Sequence, residues 1–135
     1  MKPRILDASA LLAFLWQEPG WREVEAALTS EECAMSAVNV AEFVTKTQER
    51  GVSESEIAAL FSNLPLRVVP HDQKQAFATG FLRNPTRGLG LSLGDRACLA
   101  LALHENATVL TADRPWLDVA GPLGIDIVCI RPDAN

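Results

Sequence analysis

The sequence has few of the side chains that several kinds of catalytic site require. It contains no tyrosine, two histidines and three cysteines among its 135 residues. Cys33, Cys98 and Cys129 are odd in number and lack C-x-x-C spacing, which argues against a zinc site or a disulfide framework. We interpret them as reduced, buried core residues of a cytoplasmic protein. Neither His71 nor His104 is placed for acid–base catalysis, and both are interpreted as structural.

Long apolar segments are also missing. The longest uncharged apolar stretch, residues 8–16, is far shorter than the roughly 20 residues of a membrane-spanning helix. Asp7 interrupts the apolar segment that a signal peptide would need after Lys2 and Arg4, and no small-residue cleavage site follows. We therefore expect no membrane association and no export, and a cytoplasmic location.

Positive charge is scarce as well. Lys and Arg number 12 against 17 Asp and Glu, which gives a formal net charge of -5. The net charge therefore repels a polyanion such as a nucleic acid at long range. Three Trp and five Phe leave few platforms on which bases could stack. A phosphate-bearing substrate would have to be held by local cationic side chains or by bound cations.

The chain contains enough apolar residues for one α/β domain over residues 1–135. Hydrophobic residues make up 48% of the sequence, and short apolar segments alternate with longer helical ones, as in a parallel sheet with crossover helices. The predicted strands are Arg4–Leu6, Cys33–Met35, Leu66–Val69, Thr108–Leu110 and Ile125–Ile130. The predicted helices are Ala10–Trp16, Trp21–Leu28, Val38–Arg50, Glu54–Asn63, Asp72–Arg83 and Leu93–Glu105, with a short turn at Pro115–Val119.

Four acidic residues are placed to converge on one edge of this sheet. Ligands of such sheets bind outside the carboxyl ends of the strands. Asp7 ends the first predicted strand and Asp113 follows the fourth. Glu42 lies one turn into the helix after the second strand, and Asp95 lies in the first turn of Leu93–Glu105. These positions predict a shared acidic site.

Three of the four acids also have a purely structural interpretation. Asp95 can form the reciprocal half of a capping box with Ser92, and Asp113 can cap the following turn. Glu42 shares a polar stripe with its helical neighbours, which is typical of a solvated face. The residues of that stripe are Asn39, Glu42, Thr45, Lys46 and Glu49.

Asp7 is harder to explain structurally, because it lies between two apolar segments where a charge is unfavourable unless it is partnered. Carboxylates about 4 Å apart repel by roughly 4 kcal/mol per pair at an effective dielectric constant of 20. A converging cluster must therefore hold protons or cations. With oxygen ligands alone, the expected ion is Mg²⁺ or Mn²⁺.

Four segments of the sequence together resemble PIN-domain ribonucleases, specifically the VapC toxins of bacterial toxin–antitoxin pairs. They are ILDASAL (5–11), VNVAEF (38–43), LGDRACLALA (93–102) and VLTADRPW (109–116). The resemblance covers nearly the whole chain in the same order. It implies a three-layer α/β/α fold with a central parallel sheet of four to five short strands. It also implies divalent-metal-dependent endoribonuclease activity, a homodimer and a cognate antitoxin that blocks the active site.

The resemblance further assigns site residues. Asp7, Glu42, Asp95 and Asp113 match the acidic quartet of the family. Small polar residues that line the site are matched by Ser9 and Thr111. Asp118 is either an extra acid or a solvated turn residue.

The residue types suggest a role for each member of the site. Asp7 and Asp95 are expected as the main metal ligands, and Asp113 as a further ligand of the same or a second ion. Glu42 is expected to bind a second ion or to orient the attacking water. RNA phosphates can be held by nearby cations. These are Lys46, Arg96 and Arg114, of which Lys46 can instead form a surface pair with Glu42.

Two further expectations concern assembly and activity. Trp16, Trp21 and the helices around Phe43 and Phe61 offer more apolar surface than one small domain buries, which favours a symmetric homodimer. The alternative to an enzyme is a catalytically silent PIN-like binding module, although the presence of all four acids argues against it.

Overall fold

The computed structural model describes residues 2–132, so residues 1 and 133–135 of the expected domain lie outside the described part. Its centre is a parallel sheet in the order β3-β2-β1-β4-β5. The strands are β1 Arg4–Leu6, β2 Cys33–Ser36, β3 Arg67–Val69, β4 Thr108–Thr111 and β5 Asp126–Cys129. The predicted α/β class and parallel sheet of four to five short strands are confirmed.

Seven α-helices and one 3-10 turn connect the strands within residues 2–132. The helices are α1 Ala8–Leu15, α2 Trp21–Ser30, α3 Ala37–Glu49, α4 Glu54–Asn63, α5 Gln73–Phe81, α6 Leu93–Glu105 and α7 Leu117–Leu123, and the 3-10 turn is Arg114–Trp116.

Apolar side chains alternate between the two faces of the sheet, because successive residues of a strand point to opposite sides. Leu6 and Leu110 lie in the core beneath α1, α2 and α3. Their strand neighbours Ile5 and Val109 lie in a second core with α6 and Trp116. The sheet is therefore buried on both faces, which is the three-layer arrangement that the sequence predicted.

The first six helices lie within two residues of their predicted bounds, and two differences have a clear physical reason. The first begins at Ala8 rather than Ala10, because Asp7 caps it by accepting a hydrogen bond from the backbone N–H of Ala10. The predicted Pro115–Val119 turn is a 3-10 turn followed by α7, whose last turn contains Pro122. Proline is tolerated at the start of a helical segment, where its missing N–H would have no partner, so Pro115 does not prevent the helix.

The cysteines follow the prediction in part. All three are free thiols, and Cys33 and Cys98 are buried. Cys129 is half-buried, because it ends the edge strand β5. Among residues 2–132, no helix has the length and apolar composition needed to cross a membrane.

Candidate active site

Asp7 lies where β1 ends and α1 begins, and only 5% of its surface is exposed. One carboxylate oxygen accepts the cap hydrogen bond from the Ala10 amide at 2.9 Å. The Ser9 hydroxyl donates to both oxygens, at 2.7 and 2.9 Å, and the Thr111 hydroxyl donates at 2.7 Å. The buried charge is thus partnered by one amide and two hydroxyls, with no cationic side chain among these donors.

Hydrogen bonds do not fully compensate for the burial of Asp7. Loss of hydration raises the pKa of this carboxyl to about 6, although the hydrogen bonds from Thr111, Ala10 and Ser9 act in the opposite direction. The negative charge of Asp95 raises the pKa further. A cation beside Asp7 would stabilise the ionised form that the protein alone disfavours.

Ser9 and Thr111 also connect Asp7 to the segment that carries Asp113. The Ser9 hydroxyl accepts from the backbone amide of Ala112 at 2.9 Å, and the Thr111 hydroxyl accepts from the amide of Asp113 at 3.0 Å. Asp113 itself is exposed. The two small polar residues therefore hold the ends of the neighbouring strands β1 and β4 in a fixed relation.

Glu42 enters the site from α3 and is held there by Asn39, which the sequence did not predict as its partner. The buried amide nitrogen of Asn39 donates to Glu42 Oε1 at 2.8 Å and to the carbonyl of Gly94 at 3.0 Å. Because both partners are acceptors, the amide nitrogen must face them. Asn39 thus joins α3 to the first turn of α6 and holds the Glu42 carboxylate there.

Gly94 provides the space that this carboxylate occupies. A Cβ atom at position 94 would lie 2.6 Å from Glu42 Oε1 and would also overlap Oε2. Contacts of that length are far inside van der Waals distance, so any larger residue would displace the carboxylate. Asn39 and Gly94 were not among the predicted site residues. The signals present in the sequence were an Asn three residues before Glu42 and a Gly immediately before Asp95.

Asp95 has the capping role that its position predicted and also faces the site. One of its oxygens accepts from the Ser92 amide at 2.9 Å, and the Ser92 hydroxyl accepts from the Asp95 amide at 3.1 Å. This capping box fixes the carboxylate at the start of α6. The structural and functional interpretations of Asp95 are therefore compatible.

The four predicted acids line one cavity of about 130 Å³. The remaining lining residues are Ala8, Ser9, Asn39 and Lys46. Cys98 on α6 is fully buried, and its pKa is raised well above its ordinary value by burial and by the charges of Asp7, Asp95 and Glu42. The quartet that the sequence predicted is thus gathered at the carboxyl ends of neighbouring strands.

The PIN domain family model matches residues 4–122 of this chain. The chain belongs to the PIN domain family. The resemblance seen in the sequence is therefore confirmed at the level of the family, which consists of nucleases that generally use divalent metal ions. The comparison with curated protein sequences gave no match.

Solved structures share the fold of this PIN domain at low sequence identity. VapC20 of Mycobacterium tuberculosis, a toxin that cleaves the sarcin–ricin loop, is 14% identical with a TM-score of 0.73 over 96% of this chain and 99% of that chain. A DNA-bound VapBC from Salmonella typhimurium is 19% identical with a TM-score of 0.71 over 95% and 98%. VapBC-1 of Haemophilus influenzae is 17% identical with a TM-score of 0.70, also over 95% and 98%.

The donor atoms of the PIN domain site suit a hard divalent cation. The negatively charged groups that line the cavity are all carboxylates. Mg²⁺ and Mn²⁺ prefer such oxygen ligands. Asn39 Oδ1 is buried and has no hydrogen-bond partner, so a further oxygen is left unsatisfied in a cavity-lining residue. Within residues 2–132, no three His, Cys, Asp or Glu side chains are gathered tightly enough to enclose an ion as they stand. A bound cation would have to draw the carboxylates inward against their mutual repulsion.

The cationic residues of the PIN domain lie in different surroundings. Lys46 lines the cavity, and within the described chain no ion pair joins it to Glu42. The Arg96 guanidinium donates to the Thr79 carbonyl of α5 at 3.1 Å and so packs α6 against α5. Arg114 donates to the Arg131 carbonyl at 2.8 Å. Of the three predicted phosphate-binding cations, Lys46 is the one that lines the acid cavity.

Other residues singled out in the sequence lie away from the quartet. Asp118 is exposed in the first turn of α7 and does not line the acid cavity, as expected for the solvated alternative. His71 precedes α5 and His104 lies in the last turn of α6, and neither lines the cavity. Trp116 is 1% exposed and belongs to the core.

Proposed function

We propose that this PIN domain is a divalent-metal-dependent endoribonuclease and the toxin of a VapC-type toxin–antitoxin pair. The observation that carries the proposal is the shared cavity of Asp7, Glu42, Asp95 and Asp113. In that cavity, burial makes the charge of Asp7 unfavourable unless a cation is present. Asp7 also caps α1, but asparagine or serine would cap a helix without the cost of a buried charge, so the cost points to a functional site.

The chain's own residues divide the work of phosphodiester hydrolysis. Asp7, Asp95 and Asp113 would hold a divalent ion, whose chemistry when bound would be to lower the pKa of a water and to neutralise charge on the phosphate. Glu42, held by Asn39, orients the attacking water and accepts its proton. Lys46, the cation of the cavity lining, contacts a phosphate of the RNA. Ser9 and Thr111 keep Asp7 and the Asp113 segment in register.

RNA as the substrate and an antitoxin as the partner are supported by the structural neighbours. VapC20 is an RNA-cleaving toxin, and two other neighbours are VapBC complexes from toxin–antitoxin systems. These similarities cover nearly the full length of this chain. A cognate antitoxin that binds over the acid cavity is therefore the proposed protein partner.

We expect purified protein to cleave single-stranded RNA with Mg²⁺ or Mn²⁺ and to show no cleavage in excess EDTA. The physical reason is that no histidine lines the cavity, so the proposed catalysis depends on the bound ion. Gel analysis of an end-labelled RNA, with Glu42→Gln protein purified in parallel as the contamination control, checks this. Equal cleavage in EDTA would contradict the metal mechanism, and no cleavage under any metal condition would favour the silent binding module.

A homodimer is part of the proposal. Of the aromatic residues that suggested it in the sequence, Trp16, Trp21 and Phe61 are half-buried and Phe43 is buried. Phe43 is 0% exposed and Phe61 packs edge-to-face on it with 5.6 Å between ring centroids. The largest exposed aromatic surface lies on α5 instead, where Phe77 and Phe81 are 58% and 75% exposed and contact each other. Two such rings on one helix favour burial against a second copy.

We expect Phe81→Glu to weaken the dimer at least tenfold while the monomer stays folded. The Phe81 ring is largely in solvent, so the substitution removes no core contact within the monomer. Analytical ultracentrifugation over a concentration series measures the effect. The matched control is Val68→Glu on β3, which changes another exposed apolar residue to the same acid. A wild type that is monomeric at all micromolar concentrations would contradict the dimer.

A further inference from the structure

A second cavity opens directly beside the acid cavity. Its volume is about 370 Å³, and Ser9 and Lys46 line both cavities. The other walls come from the ends of α1 and α3 and from the segment after β5. They are Leu12, Trp16, Glu18, Glu49, Arg50 and Arg131, and we call this cavity the side groove. A bound RNA strand that leaves the acid cavity past Lys46 would pass directly into the side groove.

The charges of the side groove differ from those of the acid cavity. The side groove is lined by three cations (Lys46, Arg50 and Arg131) and two acids (Glu18 and Glu49). The acid cavity is lined by four acids and one lysine. In residues 2–132, none of these three cations lies within ion-pair distance of a carboxylate. The side groove therefore offers cationic groups for phosphates beside a cavity that would repel them without a metal ion.

Arg50 lies over the Trp16 ring in the side groove. Its guanidinium carbon lies 3.8 Å from the centroid of the Trp16 ring, within the distance of a cation–π contact. Unpaired bases stack both on aromatic rings and on arginine guanidinium groups, so this pair offers two kinds of surface for a base. The stack thus supplies a platform in a protein that has few exposed aromatic residues for this purpose.

We propose that the side groove binds one nucleotide of single-stranded RNA adjacent to the scissile phosphate, with its base on the Arg50–Trp16 stack and its phosphate near Lys46 and Arg131. This inference rests on the proposed ribonuclease function and deepens it. The groove volume is within the range of about 300–1,000 Å³ that small-ligand sites have. A base-paired nucleotide could not stack in this way, so the groove selects unpaired RNA.

Binding of a fluorescein-labelled single-stranded RNA octamer in EDTA tests the inference without cleavage. We expect Arg50→Ala and Arg131→Ala each to weaken binding about fivefold or more. The slope of log affinity against log salt concentration should fall by about 0.7 for each phosphate that is no longer neutralised. The matched control is Arg22→Ala. Arg22 stacks on Trp21 at 4.6 Å from the ring centroid, on α2 and outside the groove lining, so its removal should leave RNA binding unchanged.

Tryptophan emission gives a second readout that a purely structural role would not move. A base that binds to the Arg50–Trp16 stack should quench the fluorescence of Trp16 when RNA is added. We expect Trp16→Phe to abolish the RNA-dependent quenching, whereas Trp21→Phe should retain it. Far-ultraviolet circular dichroism of each variant confirms that the fold is intact before binding is compared.

The outcomes separate the groove from the catalytic proposal. Wild-type affinity and salt dependence in both arginine variants would overturn the groove assignment, and metal-dependent cleavage by the same preparations would leave the proposed function standing. RNA binding that depends on Arg50 and Arg131, without cleavage in Mn²⁺, would support the groove and contradict the ribonuclease proposal.

Discussion

Replacement of Gly94 by alanine is expected to leave the protein folded and to lower RNA cleavage about a hundredfold. The added Cβ would overlap the Glu42 carboxylate. Because that carboxylate is the end of a flexible side chain, it can move away without rearranging the backbone. The helix itself gains roughly 1 kcal/mol from Gly→Ala. Activity and stability should therefore change in opposite directions, as initial rates of cleavage and thermal melting will show.

Gly80→Ala is the matched control for this prediction. Gly80 lies inside α5, and a Cβ there would meet no atom within 4 Å. This variant should gain similar helix stability with unchanged cleavage. In a Glu42→Ala background the obstacle is gone, so adding Gly94→Ala should cause no further loss of activity. Wild-type cleavage by the Gly94→Ala single variant would contradict the placement of Glu42.

Asp7→Asn is expected to abolish cleavage and to stabilise the metal-free protein at neutral pH. The pKa of Asp7 is raised from 3.8 to about 6 in the folded protein. This shift corresponds to roughly 3 kcal/mol of folding free energy lost when the carboxyl ionises. Asparagine cannot ionise and keeps an oxygen to accept the cap hydrogen bond from Ala10. Urea denaturation in EDTA measures the gain.

The sign of the pH dependence follows from the raised pKa. The folded protein binds this proton more tightly than the unfolded chain, so the stabilisation from protonated Asp7 is complete below about pH 4. It is lost as the pH rises from there through about 6. The advantage of Asp7→Asn over wild type should accordingly be absent near pH 4 and largest above pH 7.

Asp72→Asn separates this effect from helix capping. Asp72 caps α5 by accepting from the Gln75 amide at 2.9 Å, just as Asp7 caps α1, but Asp72 is exposed. Its replacement should produce little pH-dependent difference, because asparagine caps helices about as well as aspartate. A pH-independent gain in Asp7→Asn would show that burial of the Asp7 charge is not its cause.

The positions of the acids were predictable because they depend on local order along the chain. Asp7 directly follows β1 and Asp113 lies two residues after β4, and the carboxyl ends of parallel neighbours meet at one edge of the sheet. The capping box of Asp95 depends on residues three apart and is visible in any sequence. Such features depend only on neighbouring residues, so they can be predicted without knowing how distant segments pack.

Interactions between distant segments were not predictable in the same way. Asn39 belongs to a polar stripe of α3 that the sequence assigned to solvent, yet it is 1% exposed because it contacts the carbonyl of Gly94, 55 residues away. The helix around Phe61 was predicted to offer apolar surface for a dimer, and Phe61 is half-buried because it packs on Phe43 of another helix. Helical periodicity shows that a face exists and does not show which element covers it.

Titration calorimetry with Mn²⁺ measures whether Asp7, Glu42, Asp95 and Asp113 form one divalent-cation site. Wild-type protein should bind Mn²⁺, and Asp7→Asn should weaken that binding at least tenfold, since the most buried carboxylate gains most from the ion. Asp72→Asn should bind Mn²⁺ as wild type does. Equal Mn²⁺ affinity in Asp7→Asn and wild type would contradict the claim that the four acids act as a metal site.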